Sequence, residues 1–315
     1  MSASKQTAFD YIDEKAGVIT DVSDKIWDYA ELSLREYKSG DLYAKVLKEE
    51  GFTVDHPFDN IETAFRASYG SGKPVIGILA EYDALTGLSQ VAGSEKREEL
   101  VADGNGHGCG HNLLGAGSMA AAFAVKKYLE EKGEGSGKVV FYGCPGEEGA
   151  ATKAFMARDG VFAECDAALT WHPGNVNQVT SGTCNTCIQS EYKFTGVASH
   201  AAGAPEKGRS ALDAVELMNI GVQFLREHMP DSSRIHYSIT DAGGFSECCP
   251  AESTGSLHGP LYLGQRCPGT SGTCRQNRAC GIHDDGHKDG EKVHRRLLQH
   301  SPEQGPGIPD VGKLQ

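Results

Sequence analysis

Two short runs do most to limit what this chain can fold into: Val75-Ile-Gly-Ile-Leu-Ala80 and Val139-Val-Phe-Tyr142. A strand with one wet face alternates apolar and polar residues. These runs do not alternate, so both of their faces must be covered. Between them, Leu113 to Tyr128 is Ala-rich and reads as a helix, and after them Ala151 to Arg158 reads as a short one. Ala167 to Trp171 is a third strand. Strand, helix, strand, helix, strand predicts a parallel sheet flanked by helices. Upstream, residues 5–34 read as one helix, with Phe9, Ile12, Val18, Ile19, Val22 and Ile26 at helical spacing. Ser39 to Glu50 is a second helix, stopped by Gly51, and residues 63–69 alternate as a strand.

The pattern changes after about residue 183. Glu191 to Thr195 alternates as a strand, Ser210 to His228 is a long amphipathic helix, and Arg234 to Thr240 alternates again. This predicts a second, smaller α+β domain over 184–246, after a first domain over 1–183. A further boundary falls near Gly244. Residues 1–244 carry the whole charge imbalance, 22 basic against 35 acidic, whereas residues 245–315 carry eight of each. That tail holds five of the ten Cys and six of the twelve Pro, but only 12 Val, Ile, Leu, Phe and Tyr in 71 residues. It is too poor in large apolar side chains for a normal share of core, so 247–315 is expected to be disordered.

The acidic balance, 43 Asp and Glu against 30 Lys and Arg, argues against a nucleic-acid partner. The first residues are polar, without the apolar centre of a signal peptide. No run approaches the ~18 apolar residues of a membrane span. The expectation is a soluble, cytoplasmic protein whose cysteines are thiols or metal ligands rather than disulfides.

Three polar clusters fall where the buried strands end or the Ala-rich helix begins. They are Asn105-Gly-His-Gly-Cys-Gly-His-Asn112 before the helix, Gly143-Cys-Pro-Gly-Glu-Glu-Gly149 after one strand, and Trp171-His-Pro173 after another. In open α/β sheets ligands bind at the carboxyl ends of the strands, so the clusters should converge. Cys109 and His111, two apart in an extended loop, would point to one side. Glu147 and Glu148 would diverge, leaving one to bind metal and the other to reach a water. Thiolate, imidazole and carboxylate suit zinc, manganese or cobalt. Taken singly, each feature has a plainer reading: a buried thiol, a solvated Glu pair, a hydrogen-bonded loop histidine. Their shared place at strand ends is what favours a site.

Those motifs, with Ala80-Glu-Tyr-Asp-Ala-Leu-Thr-Gly-Leu-Ser89 and Ser199-His-Ala-Ala-Gly-Ala-Pro-Glu-Lys-Gly-Arg-Ser-Ala-Leu-Asp-Ala214, resemble the dinuclear-metal aminoacylase and carboxypeptidase family, in particular its aminobenzoyl-glutamate hydrolase-like amidohydrolase branch. The resemblance covers about residues 1–246. It implies a metallo-exopeptidase fold in which the α+β domain is an inserted lid or dimerisation domain, truncated here. It implies a pair of divalent cations and hydrolysis of the amide bond of N-acyl amino acids or small dipeptides. By position, Cys109, His111, Glu148 and His172 would be metal ligands and Glu147 the general base. Asp83 would be the acidic residue near the metals, although the His often found two positions earlier is Glu81 here. His200 would reach the substrate of the other subunit in a homodimer and help hold the oxyanion. His107 reads as loop support, and Cys144, Cys165, Cys184 and Cys187 as structural. A non-catalytic binding or regulatory subunit of the same fold is the alternative.

Relatives continue beyond this point and return to supply a last metal-binding His, which is not recognisable here. The genetic code offers a reason. Glu247-Cys-Cys-Pro250, written GAA TGT TGT CCN and read one base later, gives Asn-Val-Val-Pro. That sequence resembles the family's continuation after Gly243-Gly-Phe-Ser246. The same shift lets residues 283–288 read Met-Met-Thr-Gly-Thr-Lys and residues 297–303 read Cys-Ser-Asn-Ile-Val-Pro-Asn. Residues 247–315 are therefore expected to be an out-of-frame reading that leaves the chain impaired. The competing expectation is a zinc-binding appendage built on Cys267, Cys274, Cys280, His283 and His287.

Overall fold

The computed structural model describes residues 3–179, 185–231, 233–244, 252–262 and 294–298. The chain divides into two compact units, one running from Met1 to Gln178 and the other beginning at Val179, a few residues before the expected division at 183/184.

The first unit is built on a five-stranded sheet in the order β1-β2-β4-β3-β5. Its strands are β1 (Thr53–Asp55), β2 (Phe65–Gly72), β3 (Val75–Ala80), β4 (Ser136–Gly143) and β5 (Ala167–Leu169). β3 and β4 are the two unalternating runs, and they pair in parallel, as do β3 and β5. The sheet is mixed rather than wholly parallel, because β2 runs antiparallel to both β1 and β4. Only Lys73 and Pro74 separate β2 from β3, too few for a helical crossover. The reversal sends β2 to the far side of β4, whereas the long helix α4 (His111–Lys132) carries the parallel connection from β3 to β4.

The expected helix over 5–34 is two helices, α1 (Ala3–Glu14) and α2 (Ala16–Tyr29), broken at Lys15. Helix α3 (Tyr37–Glu49) ends where Gly51 takes a positive φ of 91°. Val22 and Ile26 of α2, Tyr43 and Leu47 of α3, and Met119 and Phe123 of α4 pack with Phe65, Ile78, Tyr82 and Phe141 into one buried core. On the other sheet face Leu79, Val140, Tyr142, Cys144 and Met156 form a second core. The short helices α5 (Glu147–Ala150) and α6 (Thr152–Arg158) follow β4.

The second unit has a four-stranded antiparallel sheet in the order β7-β8-β6-β9. These are β6 (Asn185–Thr195), β7 (His236–Asp241), β8 (Glu252–Tyr262) and β9 (His294–Leu298). Helix α7 (Ala211–Leu225) lays Ala214, Val215, Met218 and Val222 against Tyr192 and Phe194 of β6 and against Ile235. Within the stretch expected to be disordered, the backbones of β8 and β9 thus run as strands beside β6, a pairing that main-chain groups make whatever their side chains. The tail residues expected to form a zinc appendage, Cys184 and the side chain of Cys187 lie outside what is described.

Candidate metal centre

The parallel register places three chain segments side by side. Ala80 at the end of β3 pairs with Gly143 at the end of β4, and Ile78 pairs with Leu169 at the end of β5. The next residues are Glu81-Tyr-Asp83, Cys144 to Glu148, and Thr170 to His172. The N-terminus of α4 brings His111 to the same place. Gly110 caps that helix with φ 74°, a conformation side chains resist. A side chain at Gly115 would meet the Glu81 carbonyl at 2.7 Å, so its absence lets α4 lie against the end of β3.

His111 is fully buried and lies between two carboxylates. Its Nδ1 bonds Asp83 Oδ1 at 2.9 Å, and its Nε2 stands 3.0 Å from Glu81 Oε2. The second contact is ionic rather than an aligned hydrogen bond, and both atoms lack a hydrogen-bond partner. His172 Nε2 approaches the same Glu81 oxygen at 3.3 Å, and Glu147 Oε2 lies 3.8 Å from His111 Nε2. Two overlapping groups of donor atoms, each within 4.8 Å, result: Cys109, His111 and His172, and Glu81, His111, Glu147 and His172. Glu81 Oε2 and His111 Nε2 are buried without a hydrogen-bond partner, and with the neighbouring imidazole, carboxylate and thiol they make a donor set that fits a divalent cation.

The electrostatics point the same way. Burial disfavours charge on His111, but Asp83 and Glu81 outweigh it and push its pKa up to about 11. A cation at Nε2 would take the place of that proton. Burial would raise the Glu81 and Asp83 carboxyls; His111, joined by Lys153 at Glu81 and by Ser33 at Asp83, instead holds them below their ordinary values. Glu147 is raised, first by burial and then by the negative charge of Glu81, so its carboxylate is more basic than usual. The Cys109 thiol is pushed up by burial.

Cys109 sits in a turn and His111 opens a helix, rather than sharing an extended loop, yet both reach one donor group. Glu147 and Glu148 lie in a helical turn and still diverge. Glu147 joins the His111 side. Glu148 falls in neither donor group; its carboxylate adjoins Cys109, and its N–H donates to Asp83 Oδ2 at 3.0 Å. His107 supports the loop, bonding the Ile26 carbonyl at 2.9 Å. The Cys144 thiol is buried beneath the site, donating to the Tyr142 carbonyl at 3.7 Å, and its pKa is pushed up to about 12. His200 is in the second unit, exposed, its Nδ1 accepting the N–H groups of Ala202 at 3.2 Å and Gly203 at 3.0 Å.

Beside Glu81, whose position the sequence marks but whose part in the cluster it does not, three participants carry no signal strong enough to find them in the sequence. Glu81 stands in plain view two residues before Asp83. Lys153 pairs with Glu81 from the first turn of α6. Ser33 donates to Asp83 Oδ2 at 2.7 Å, and buried Glu36 accepts the Gly146 N–H at 2.7 Å. The last two lie between α2 and α3, and no motif marks them.

Residues 77–273 match the model of Peptidase family M20/M25/M40, a match that continues past Ser246. The chain is 53% identical over 231 residues to one of the subunits of p-aminobenzoyl-glutamate hydrolase from Escherichia coli K12, covering 72% of this chain and 47% of that protein. It is 29% identical over 260 residues to the Xaa-Arg dipeptidase of Mus musculus, covering 79% and 56% respectively. It thus spans about half the length of these curated relatives. A dinuclear metal binding M20 peptidase from Bacillus subtilis shares the fold, with a TM-score of 0.58 and 18% identity over 95% of this chain and 75% of that one.

Proposed function

Because the chain belongs to Peptidase family M20/M25/M40, we propose that its metal centre hydrolyses the amide bond of N-acyl amino acids or small dipeptides. The observation that carries this reading is the gathering of Glu81, Glu147 and His172, which follow adjacent parallel strands, with Cys109 and His111 at the start of α4. Cys109, His111 and His172, with Glu148 beside Cys109, would hold a pair of divalent cations such as zinc, manganese or cobalt. Such cations acidify a coordinated water and polarise a carbonyl. Glu147, with its raised basicity, takes the proton of the attacking water and hands it to the leaving amine. Asp83 holds the His111 ring by accepting its Nδ1–H, which fixes the tautomer and leaves Nε2 free to ligate.

The second unit would serve as the dimerisation domain of a homodimer, in which the partner subunit's His200 stabilises the oxyanion. Free thiols at Cys109, Cys144 and Cys165 support a reducing, cytoplasmic setting. No helix among the described residues is long and apolar enough to cross a membrane. Residues 247–315 remain, in this proposal, an out-of-frame reading; sequencing transcripts through codon 247 decides it, and an undisturbed frame ends it.

The test of function is amine release from a panel of N-acyl amino acids and dipeptides, p-aminobenzoyl-glutamate included, before and after chelation. Slow, cation-dependent release is expected from the chain as written. Release that ignores chelation overturns the proposal. A bound cation with no turnover of any substrate would favour a binding subunit, a reading prompted by the Escherichia coli relative, which is itself one subunit of a hydrolase.

A further inference from the structure

Glu81 is a nearly fully enclosed carboxylate, with 1% of its surface exposed. Its two oxygens do different things. Oε1 is taken by the Lys153 ammonium. Oε2 has no hydrogen-bond partner and points between two imidazoles, 3.0 Å from His111 Nε2 and 3.3 Å from His172 Nε2. Ligand atoms about 2.0–2.1 Å from a tetrahedral zinc ion stand about 3.3–3.4 Å from one another. The measured separations of 3.0 and 3.3 Å lie at or just below that edge, so a shared ion fits with a small opening of the first. Neither contact is aligned as a hydrogen bond.

We infer that Glu81 is itself a metal ligand, through Oε2, in a three-donor site completed by His111 and His172, with Lys153 holding the other oxygen. The inference rests on the metal-dependent reading above and deepens it. With Cys109, beside Glu148, left to the second cation of the pair, three protein donors and an open fourth position make a catalytic rather than a structural arrangement. Glu147 Oε2, 3.8 Å from His111 Nε2, then stands beside the open position as a base rather than filling it. Lys153 keeps Glu81 monodentate and balances its charge. Asp83 orients His111 from behind, accepting its Nδ1–H. Every donor lies between residues 81 and 172, inside the first unit. One cation can therefore be held without any residue from the second unit or the tail.

The test is cation binding by the full chain, read by titration calorimetry with Zn2+ and by the visible absorption of bound Co2+, with circular dichroism to verify folding. His111→Ala should abolish binding. Glu81→Gln keeps a hydrogen bond to Lys153 but not the charge. It should bind roughly a hundredfold more weakly, since losing an outer partner alone costs about 10–100-fold. Its Co2+ spectrum should also change. Lys153→Met leaves Glu81 fully charged and should bind roughly tenfold more tightly, with a larger cation-induced rise in Tm than wild type. If wild type binds a cation, His111→Ala does not, and Glu81→Gln binds as wild type, the inference is overturned while the metal-dependent reading stands. If wild type binds no cation, both fall. Should Glu81→Gln fail to fold, Lys153→Met decides alone: an unchanged cation-induced shift sinks the role of Glu81.

Discussion

The sheets of the two units handle their surfaces in opposite ways. β3 and β4 are covered on both faces, by α2, α3 and α4 on one side and by the α6 region on the other. β7, an edge strand of the second unit, is exposed along its whole length, and only one helix, α7, packs on its sheet's described core. The difference shows where a chain can keep strong charges close together. Glu81, Asp83 and His111 are all nearly or fully buried, and such a cluster persists only where the backbone around it cannot relax. Strand ends locked between core layers meet that condition. An exposed loop, such as the one bearing His200, can carry a residue that meets a ligand but not a charge cluster of this density.

The sharpest way to break this contrast is His111→Ala. Removing the imidazole leaves two buried carboxylates without the cationic group between them, Glu81 keeping Lys153 and Asp83 keeping Ser33 and the Glu148 N–H. The cation-free protein should lose about 3–5 kcal/mol, the usual result of stripping one member from a buried ionic pair, and amide hydrolysis should vanish. His200→Ala should cost under about 0.5 kcal/mol, as surface changes do, and leave cation affinity unchanged while lowering turnover. Urea denaturation and calorimetry of both variants measure it; equal losses would mean the two sites are not differently built.

Core truncations extend the comparison. Phe141→Ala removes a fully buried ring that packs against Tyr43 and Phe65, and should cost about 3–5 kcal/mol. Met218→Ala, in the single helix layer of the second unit, should cost about 2–3 kcal/mol, because a thinner cover collapses more readily around a gap. A reversed order in their denaturation midpoints would contradict the layered account.

These same features explain what could be read from the sequence. The unalternating runs at 75–80 and 139–142 became β3 and β4, and their ends met at the metal centre, because double burial leaves a plain compositional trace. Cys109, His111, Glu147 and His172 could be picked out as candidates because they follow strands or open the long helix between them, and the structure gathers them into two donor groups. The antiparallel course of β2 was hidden, since the two-residue link at Lys73–Pro74 carries no sign of which neighbour the strand will choose. The break at Lys15 was hidden because apolar spacing continues across it. Ser33, Glu36 and Lys153 were invisible for another reason. They act through single long-range contacts, and a lone polar residue outside a motif looks like any other surface residue.

Glu36 offers a test by pH. Its carboxyl is buried, and burial, reinforced by Asp83, pushes its pKa up to about 7. The folded protein therefore keeps a proton that the unfolded chain releases near 4.5. Stability should fall as pH rises from about 4.5 to about 7 and be level in this respect above. Glu36→Gln can still accept from Gly146 and removes the titration. Relative to the variant, wild type should lose on the order of 3 kcal/mol between pH 4.5 and pH 8. Urea midpoints of the cation-free proteins at several pH values measure this, and a constant difference would place the proton elsewhere.

The smallest effect belongs to the second unit and tests whether its helix stands on local support. Ser210 caps α7, its Oγ accepting the Asp213 N–H at 3.2 Å, and Asp213 places a negative charge in the first turn. Both features favour the positive end of the helix dipole. Ser210→Ala should cost about 1 kcal/mol. If the two units unfold separately, the loss should appear in the second transition alone, because the cap serves a helix whose core residues all lie in that unit. A loss shared equally by the metal-bearing unit, or none at all, would show that α7 is held by its packing on β6 rather than by its own first turn, and the two units would then differ less in construction than their sheets suggest.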